Sequence, residues 1–124
     1  TECAMGQVLG MPASFKAPEW IVEKAKAVSC GTRIHAGLIV SGDWFVDSRD
    51  KMRTILSDFP NAMAVDMESC SIAQTCHIYG VPFISFRIIS DIPLKDNKAQ
   101  QYFDFWDKIS NDSFMVTQTF LESL

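Results

Sequence analysis

The order of apolar patterns along the chain constrains the fold more than any other feature of the sequence. Segments with apolar residues at helical spacing alternate with short apolar runs that have the composition of buried strands. The resulting order is helix, strand, helix, strand, helix, strand, helix. Such alternation predicts an α/β fold with a mostly parallel central sheet, right-handed crossovers and flanking helices.

The predicted helices share an apolar stripe and an identifiable stop signal. They run from Pro18 to Gly31, Arg49 to Phe59, Ser69 to Tyr79, and Tyr102 to Leu124 with a possible break at Asn111. The predicted strands are rich in β-branched residues and lie at Ile34 to Val40, Ala62 to Val65 and Val81 to Ile89. A three-stranded sheet is small, which suggests that part of the fold is missing from this chain.

Composition excludes several classes of partner. A chain of 124 residues can form one modest domain, and a net charge of -4 without a basic cluster argues against nucleic acid and anionic membranes. No apolar run approaches the roughly 18 residues that a membrane-spanning helix needs. The four cysteines form no C-x-x-C pair and are not spaced with the two histidines as metal ligands are. A reduced, cytoplasmic protein with a small-molecule or protein partner is therefore expected.

Polar groups follow each predicted strand, at the edge of the sheet where ligands bind in open α/β folds. These strand ends read Ser41-Gly42-Asp43, Asp66-Met67-Glu68 and Ser90-Asp91. A carboxyl group that directly follows a buried strand, as Asp91 does, can hold a proton for transfer. On local sequence alone, Asp91 could equally belong to a turn, and Glu68 could serve only to complement a helix dipole.

Three motifs in this order resemble the 5′-methylthioadenosine/S-adenosylhomocysteine nucleosidases of the purine nucleoside phosphorylase superfamily. They are Gly37-Leu-Ile-Val-Ser-Gly-Asp-Trp-Phe-Val46, Ala64-Val-Asp-Met-Glu-Ser69 and Arg87-Ile-Ile-Ser-Asp91. The resemblance implies a three-layer α/β fold and hydrolysis of the bond between ribose and adenine. It also implies a purine nucleoside substrate, a homodimeric intact enzyme, and no cofactor or metal.

At the purine, the resemblance implies four contacts. Asp91 would donate a proton to the leaving base, and Ser90 would orient that acid. Phe45 would stack on the purine, while the backbone of Val46 would bind its edge. Without this context, an aromatic residue such as Phe45 would more often belong to the core.

At the ribose, the resemblance assigns Glu68 to the hydroxyl groups and Met67 to a packing position under the sugar. Arg87 would organise the carboxylates, and Tyr102 would lie near the 5′-substituent. Core packing is the alternative for Met67, and the apolar stripe of the last helix is the alternative for Tyr102.

Two departures from the family pattern affect what the chain can do. The water-activating glutamate belongs to an N-terminal half that has no counterpart here, so residues 1–124 are expected to be the C-terminal part of a single domain. Such a part should be nearly inactive alone and should self-associate through exposed apolar surface. In addition, Asp66 and Ser69 stand where the family often has Glu and Ala.

Two other functions stay open at this point. A purine nucleoside phosphorylase or a futalosine hydrolase of the same superfamily would use a similar base and ribose site. A nucleoside-binding fragment without catalytic activity would keep the purine pocket and perform no chemistry.

Overall fold

The computed structural model describes residues 2–89, 92 and 98–124 of the chain. The elements, in chain order, are α1 (Glu19–Lys26), β1 (Leu38–Ser41), α2 (Arg49–Asp58), β2 (Ala62–Asp66), α3 (Ser69–Tyr79) and α4 (Lys98–Glu122). Alternating helices and strands confirm the predicted α/β class. None of the helices in the described ranges is long and apolar enough to cross a membrane.

The two strands pair in parallel, with α2 as the crossover between them. Leu38 pairs with Ala62 at one end of the ladder and Ser41 pairs with Asp66 at the other. The amide of Gly42 continues the ladder by donating to the carbonyl of Asp66 at 3.2 Å. The carboxyl ends of both strands therefore meet at one edge, as a parallel sheet requires.

The helices that flank β2 follow the sequence closely. Helix α2 begins after Ser48, whose hydroxyl accepts a hydrogen bond from the amide of Lys51 at 3.2 Å. Helix α3 has the predicted bounds and ends at Gly80, which has φ 67° in the left-handed region. Local capping residues thus determine where α2 begins and where α3 ends.

One predicted strand is wrong. In the described part of the chain the sheet contains β1 and β2 only, and residues 81–89 have no regular secondary structure. A strand exists only through ladder hydrogen bonds to a neighbouring strand, and apolar composition cannot supply that neighbour. Accordingly, Val81 and Ile89 are 54% and 53% exposed.

Three predicted boundaries also differ from the structure. Helix α1 ends at Lys26, because the amide of Ala27 closes the last turn and Gly31 then adopts φ 83° in a separate turn. Strand β1 begins at Leu38 rather than Ile34, since the preceding residues pair with no strand among those described. Helix α4 begins at Lys98 rather than Tyr102, and it continues through Asn111 without a break.

Few apolar side chains of the described residues are buried, and these lie on α1, α3 and α4. They are Ala25, Ala73, Val116 and Phe120. Many large apolar side chains lie on the surface instead, including Leu9 at 80% exposed and Tyr79 at 77%. The predicted exposure of apolar surface is confirmed, and self-association stays a prediction.

Candidate functional site

The carboxyl end of β2 carries a nearly buried acid, Asp66, whose side chain is 6% exposed. Its Oδ1 accepts a hydrogen bond from the amide of Ser69 at 3.1 Å, and its Oδ2 accepts one from the hydroxyl of Ser69. Arg87 places its Nε 2.7 Å from Oδ2. Both oxygens are therefore occupied by donors, as a buried carboxylate requires.

Opposing effects act on the pKa of Asp66. Burial raises this pKa. The opposing effects together are larger and lower the pKa below the ordinary value of 3.8: they are the hydrogen bonds from the Ser69 hydroxyl, the Ser69 amide and the Ser41 hydroxyl, and the charge of Arg87. Asp66 is consequently an anion throughout the neutral range. Its fixed negative charge can hold the guanidinium of Arg87 in place.

Arg87 connects Asp66 to a second acid, Glu68. The Nη2 of Arg87 lies 3.3 Å from Glu68 Oε2, and the amide of Met67 donates to the same oxygen at 3.3 Å. The Glu68 side chain is 64% exposed and makes no capping hydrogen bond to α3. Glu68 is thus oriented by Arg87 while remaining open to solvent, which a helix-capping role alone does not explain.

Three serines connect this arrangement to neighbouring segments. The hydroxyl of Ser41, at the end of β1, accepts a hydrogen bond from the amide of Cys70 at 3.0 Å. The hydroxyls of Ser69 and Ser85 share a hydrogen bond at 3.0 Å. The end of β1, the start of α3 and the 81–89 segment therefore meet at the two acids, and an open groove lined by Ser41, Ser69 and Arg87 runs alongside.

The loop after β1 presents Phe45, whose side chain is 69% exposed. Lys51 anchors this loop to α2, because its Nζ donates to the carbonyl of Phe45 at 3.1 Å and lies 3.0 Å from Asp47 Oδ1. Val46, the next residue, is partly buried. Met67 is 44% exposed. Neither Phe45 nor Met67 is buried in the described part of the chain, and their contacts with the base and the sugar stay predictions.

The described residues include only part of the predicted site. Glu68, Met67 and Arg87 lie together at the end of β2, and Phe45 and Val46 follow β1. Ser90 and Asp91 lie outside the described residues, as does the side chain of Tyr102. Among the residues that are described, no group of three or more His, Cys, Asp and Glu side chains could hold a metal ion.

Sequence reasoning missed how Asp66, Ser69 and Ser85 cooperate. The spacing of Asp66 and Ser69 contained a signal, since an Asp three residues before a helical residue can accept from that residue's amide. No local pattern pointed to Ser85, because its partner is distant in sequence. A polar pair between residues distant in sequence, such as Ser69 and Ser85, is identified from the structure and not from the sequence.

Comparison with known proteins places this geometry in a class. Residues 3–122 match the model of the phosphorylase superfamily. The chain belongs to this superfamily, and its parallel sheet with flanking helices is a nucleoside phosphorylase-like fold.

Individual relatives narrow the class. The chain is 36% identical, over 122 residues, to a 5′-methylthioadenosine/S-adenosylhomocysteine nucleosidase from Desulfotalea psychrophila, with 97% of this chain and 52% of the relative covered. A nucleosidase of the same name from Neisseria meningitidis, solved with methylthio-immucillin-A, is 34% identical with a TM-score of 0.84, covering 98% of this chain and 54% of that one.

A second kind of relative shares the fold. The structure of a futalosine hydrolase mutant from Helicobacter pylori is 27% identical to this chain with a TM-score of 0.79, covering 98% of this chain and 52% of that one. This chain spans about half the length of the relatives it matches.

Proposed function

We propose that the protein supplies the purine and ribose contacts of a nucleosidase that hydrolyses 5′-methylthioadenosine and S-adenosylhomocysteine to adenine and the thio-ribose. The observation that carries this proposal is the exposed carboxylate of Glu68, held by Arg87 at the carboxyl end of β2. Nucleosidases are prominent among the relatives that match nearly the whole chain.

The ribose end of the proposed site is built on Glu68. A carboxylate can accept hydrogen bonds from two adjacent hydroxyl groups, and charge-assisted bonds of this kind are the stronger ones. Its negative charge also opposes the positive charge that develops on the sugar as the bond to the base breaks. Met67, which is 44% exposed beside it, offers an apolar surface for the sugar ring.

The base end combines Phe45 and Asp91. The exposed ring of Phe45 stacks on the purine, and the backbone of Val46 binds the edge of the base. Asp91, oriented by Ser90, donates a proton to the leaving nitrogen, so that adenine departs as a neutral molecule. Tyr102 lies near the 5′-substituent in this proposal.

Hydrolysis also needs a water molecule activated against the sugar carbon. The hydroxyl of that water forms the new bond to carbon, and its proton goes to a base, which the family resemblance assigns to the N-terminal half of the domain. Alignment and base catalysis each contribute orders of magnitude to rate. We therefore expect this chain alone to bind ligand with little turnover. The intact enzyme is proposed to be a cytoplasmic homodimer that needs no cofactor.

Calorimetric titration with 5′-methylthioadenosine and adenine, combined with an adenine-release assay, tests the proposal. Binding of both ligands with little release is the expected result. The Asp91→Asn variant should retain adenine binding and lose any residual release, whereas the control Asp50→Asn, at a side chain that is 96% exposed, should change neither. Absence of binding to either ligand would contradict the proposal.

The futalosine hydrolase similarity supports a second candidate within the superfamily. Competition between futalosine and 5′-methylthioadenosine for the chain distinguishes the two, since each function predicts tighter binding of its own substrate. For the intact enzyme, adenine release without added phosphate would exclude a phosphorylase, because phosphorolysis stops when phosphate is removed.

A further inference from the structure

The proposed function uses Glu68 and Arg87 but gives no role to Asp66, the most enclosed charged group at this edge of the sheet. Asp66 cannot contact a ligand through a spare oxygen, because the amide and hydroxyl of Ser69 and the guanidinium of Arg87 occupy its carboxylate. Its side chain is 6% exposed, against 64% for Glu68. Any role of Asp66 in binding must therefore be indirect.

Arg87 depends on Asp66 for its position. The 81–89 segment that carries Arg87 is not part of the described sheet, so no ladder of hydrogen bonds holds it beside β2. The shortest polar contact of Arg87 is the 2.7 Å pair with Asp66, and its contact with Glu68 is longer, at 3.3 Å. The more buried pair is also the less screened of the two.

Ser69 and Ser85 hold Asp66 in the orientation that this pair needs. Ser69 is 7% exposed and donates to both carboxylate oxygens, one through its amide and one through its hydroxyl. The same hydroxyl is 3.0 Å from that of Ser85, two residues before Arg87. The 81–89 segment is thus held at two nearby residues, at Ser85 by the Ser69 hydroxyl and at Arg87 by the Asp66 carboxylate.

We propose that Asp66 is a positioning residue, which holds Arg87 so that Arg87 orients the Glu68 carboxylate toward the two ribose hydroxyls. This inference rests on the proposed function, because it assigns a sugar to Glu68. When the charge of Asp66 is removed, Glu68 is the remaining charged partner of Arg87 among the described residues, and the guanidinium can pair with it through both nitrogens. That pairing consumes the oxygens that would accept from the ribose.

The test compares two ligands that differ by the sugar. In calorimetric titrations of the whole chain, Asp66→Asn should weaken binding of 5′-methylthioadenosine about tenfold, the effect of losing a well-oriented hydrogen bond to a charged group. Binding of adenine, which has no ribose, should not change. Asp50→Asn is the matched control, because Asp50 is 96% exposed and its contact with Arg53 is 3.8 Å.

Each outcome decides a different point. An unchanged affinity of Asp66→Asn for 5′-methylthioadenosine, or an equal loss for both ligands, overturns the positioning role. Failure of the unmodified chain to bind either ligand overturns the proposed function, and this inference with it. Far-ultraviolet circular dichroism of each variant checks that the helices are intact.

A paired substitution keeps the proposal testable when Asp66→Asn does not fold. Asp66→Glu adds one methylene group, which drives the carboxylate into the Ser69 hydroxyl, so this variant alone should bind 5′-methylthioadenosine more weakly. Ser69→Ala removes that hydroxyl, and the double variant Asp66→Glu/Ser69→Ala should recover most of the affinity. A double variant no better than Asp66→Glu would contradict the proposed geometry.

Discussion

The ring centroids of Phe86 and Phe120 lie 4.9 Å apart, with an angle of 59° between the ring planes, and this contact joins the 81–89 segment to helix α4. Phe120 is 6% exposed, whereas Phe114 on the same helix is 62% exposed. Phe120→Ala should lower the free energy of unfolding by about 3–5 kcal/mol, because it removes a buried ring and leaves a cavity. Phe114→Ala should change it far less. Urea unfolding of both variants checks this, and equal effects would contradict the core described above.

Gly80 ends α3 with φ 67°, and a Cβ added there would meet no atom within 4 Å. The expected cost of Gly80→Ala is therefore conformational, about 1–2 kcal/mol for placing an L-residue in the left-handed region. A Cβ added at Gly42 would also meet only open space, but the φ of Gly42 lies outside that region. Thermal unfolding should show destabilisation for Gly80→Ala and little or none for Gly42→Ala.

Ser48 caps α2 through its hydroxyl, which accepts from the amide of Lys51. Ser48→Ala leaves that amide without its side-chain acceptor and should cost about 1 kcal/mol. Ser48→Asp keeps an acceptor at the same position and should retain most of the stability. Urea titrations of the three proteins provide the measurement, and equal losses in both variants would exclude capping as the cause.

Asp66 should make stability depend on pH. Its pKa is lower in the folded protein than the ordinary value of 3.8, so the unfolded chain binds this proton more tightly. The stabilisation is therefore fully present above the ordinary value and is lost as the pH falls through the lowered pKa. The difference in unfolding free energy between the unmodified protein and Asp66→Asn should be largest near neutral pH. It should shrink in acid below about pH 4, which urea unfolding at a series of pH values checks.

Phe45 should contribute to binding through its contact with the base and not through the sugar. Stacking of a base on an aromatic ring is worth about 1–3 kcal/mol, so Phe45→Ala should weaken binding of adenine and of 5′-methylthioadenosine by similar factors. Trp44, the preceding residue, is also exposed, at 51%, and Trp44→Ala is the control. A larger loss of affinity for Trp44→Ala than for Phe45→Ala in calorimetric titrations would indicate that the purine stacks on Trp44 and not on Phe45.

Features with a local cause were predictable from the sequence. The bounds of α3 and the start of α2 follow from residues within one turn of each helix end, namely Gly80 and Ser48. The parallel pairing of β1 with β2 followed from the helix between them. Proximity of Ser41 and Asp66 then followed from the geometry of a parallel sheet.

Features that depend on distant partners were not predictable. The apolar residues of 81–89 indicated a strand, but strand formation depends on a neighbour that the described sheet does not contain. The pattern near Asn111 suggested a break that the continuous helix α4 does not have. The exposed Glu68 was recognised by resemblance, whereas the network beneath it depends on Ser85 and Ser69, which are distant in sequence.

The crossover through α2 also constrains the order of events in folding. No tight turn can join parallel strands, so the pairing of Ser41 with Asp66 must wait until the intervening chain has been drawn together. Helix α2 shortens that chain, since a helix rises about 1.5 Å per residue while a strand rises about 3.3 Å. We therefore expect the contacts of Asp66 with Ser69, three residues away, to need only local chain, whereas its approach to Ser41 needs the loop that α2 shortens.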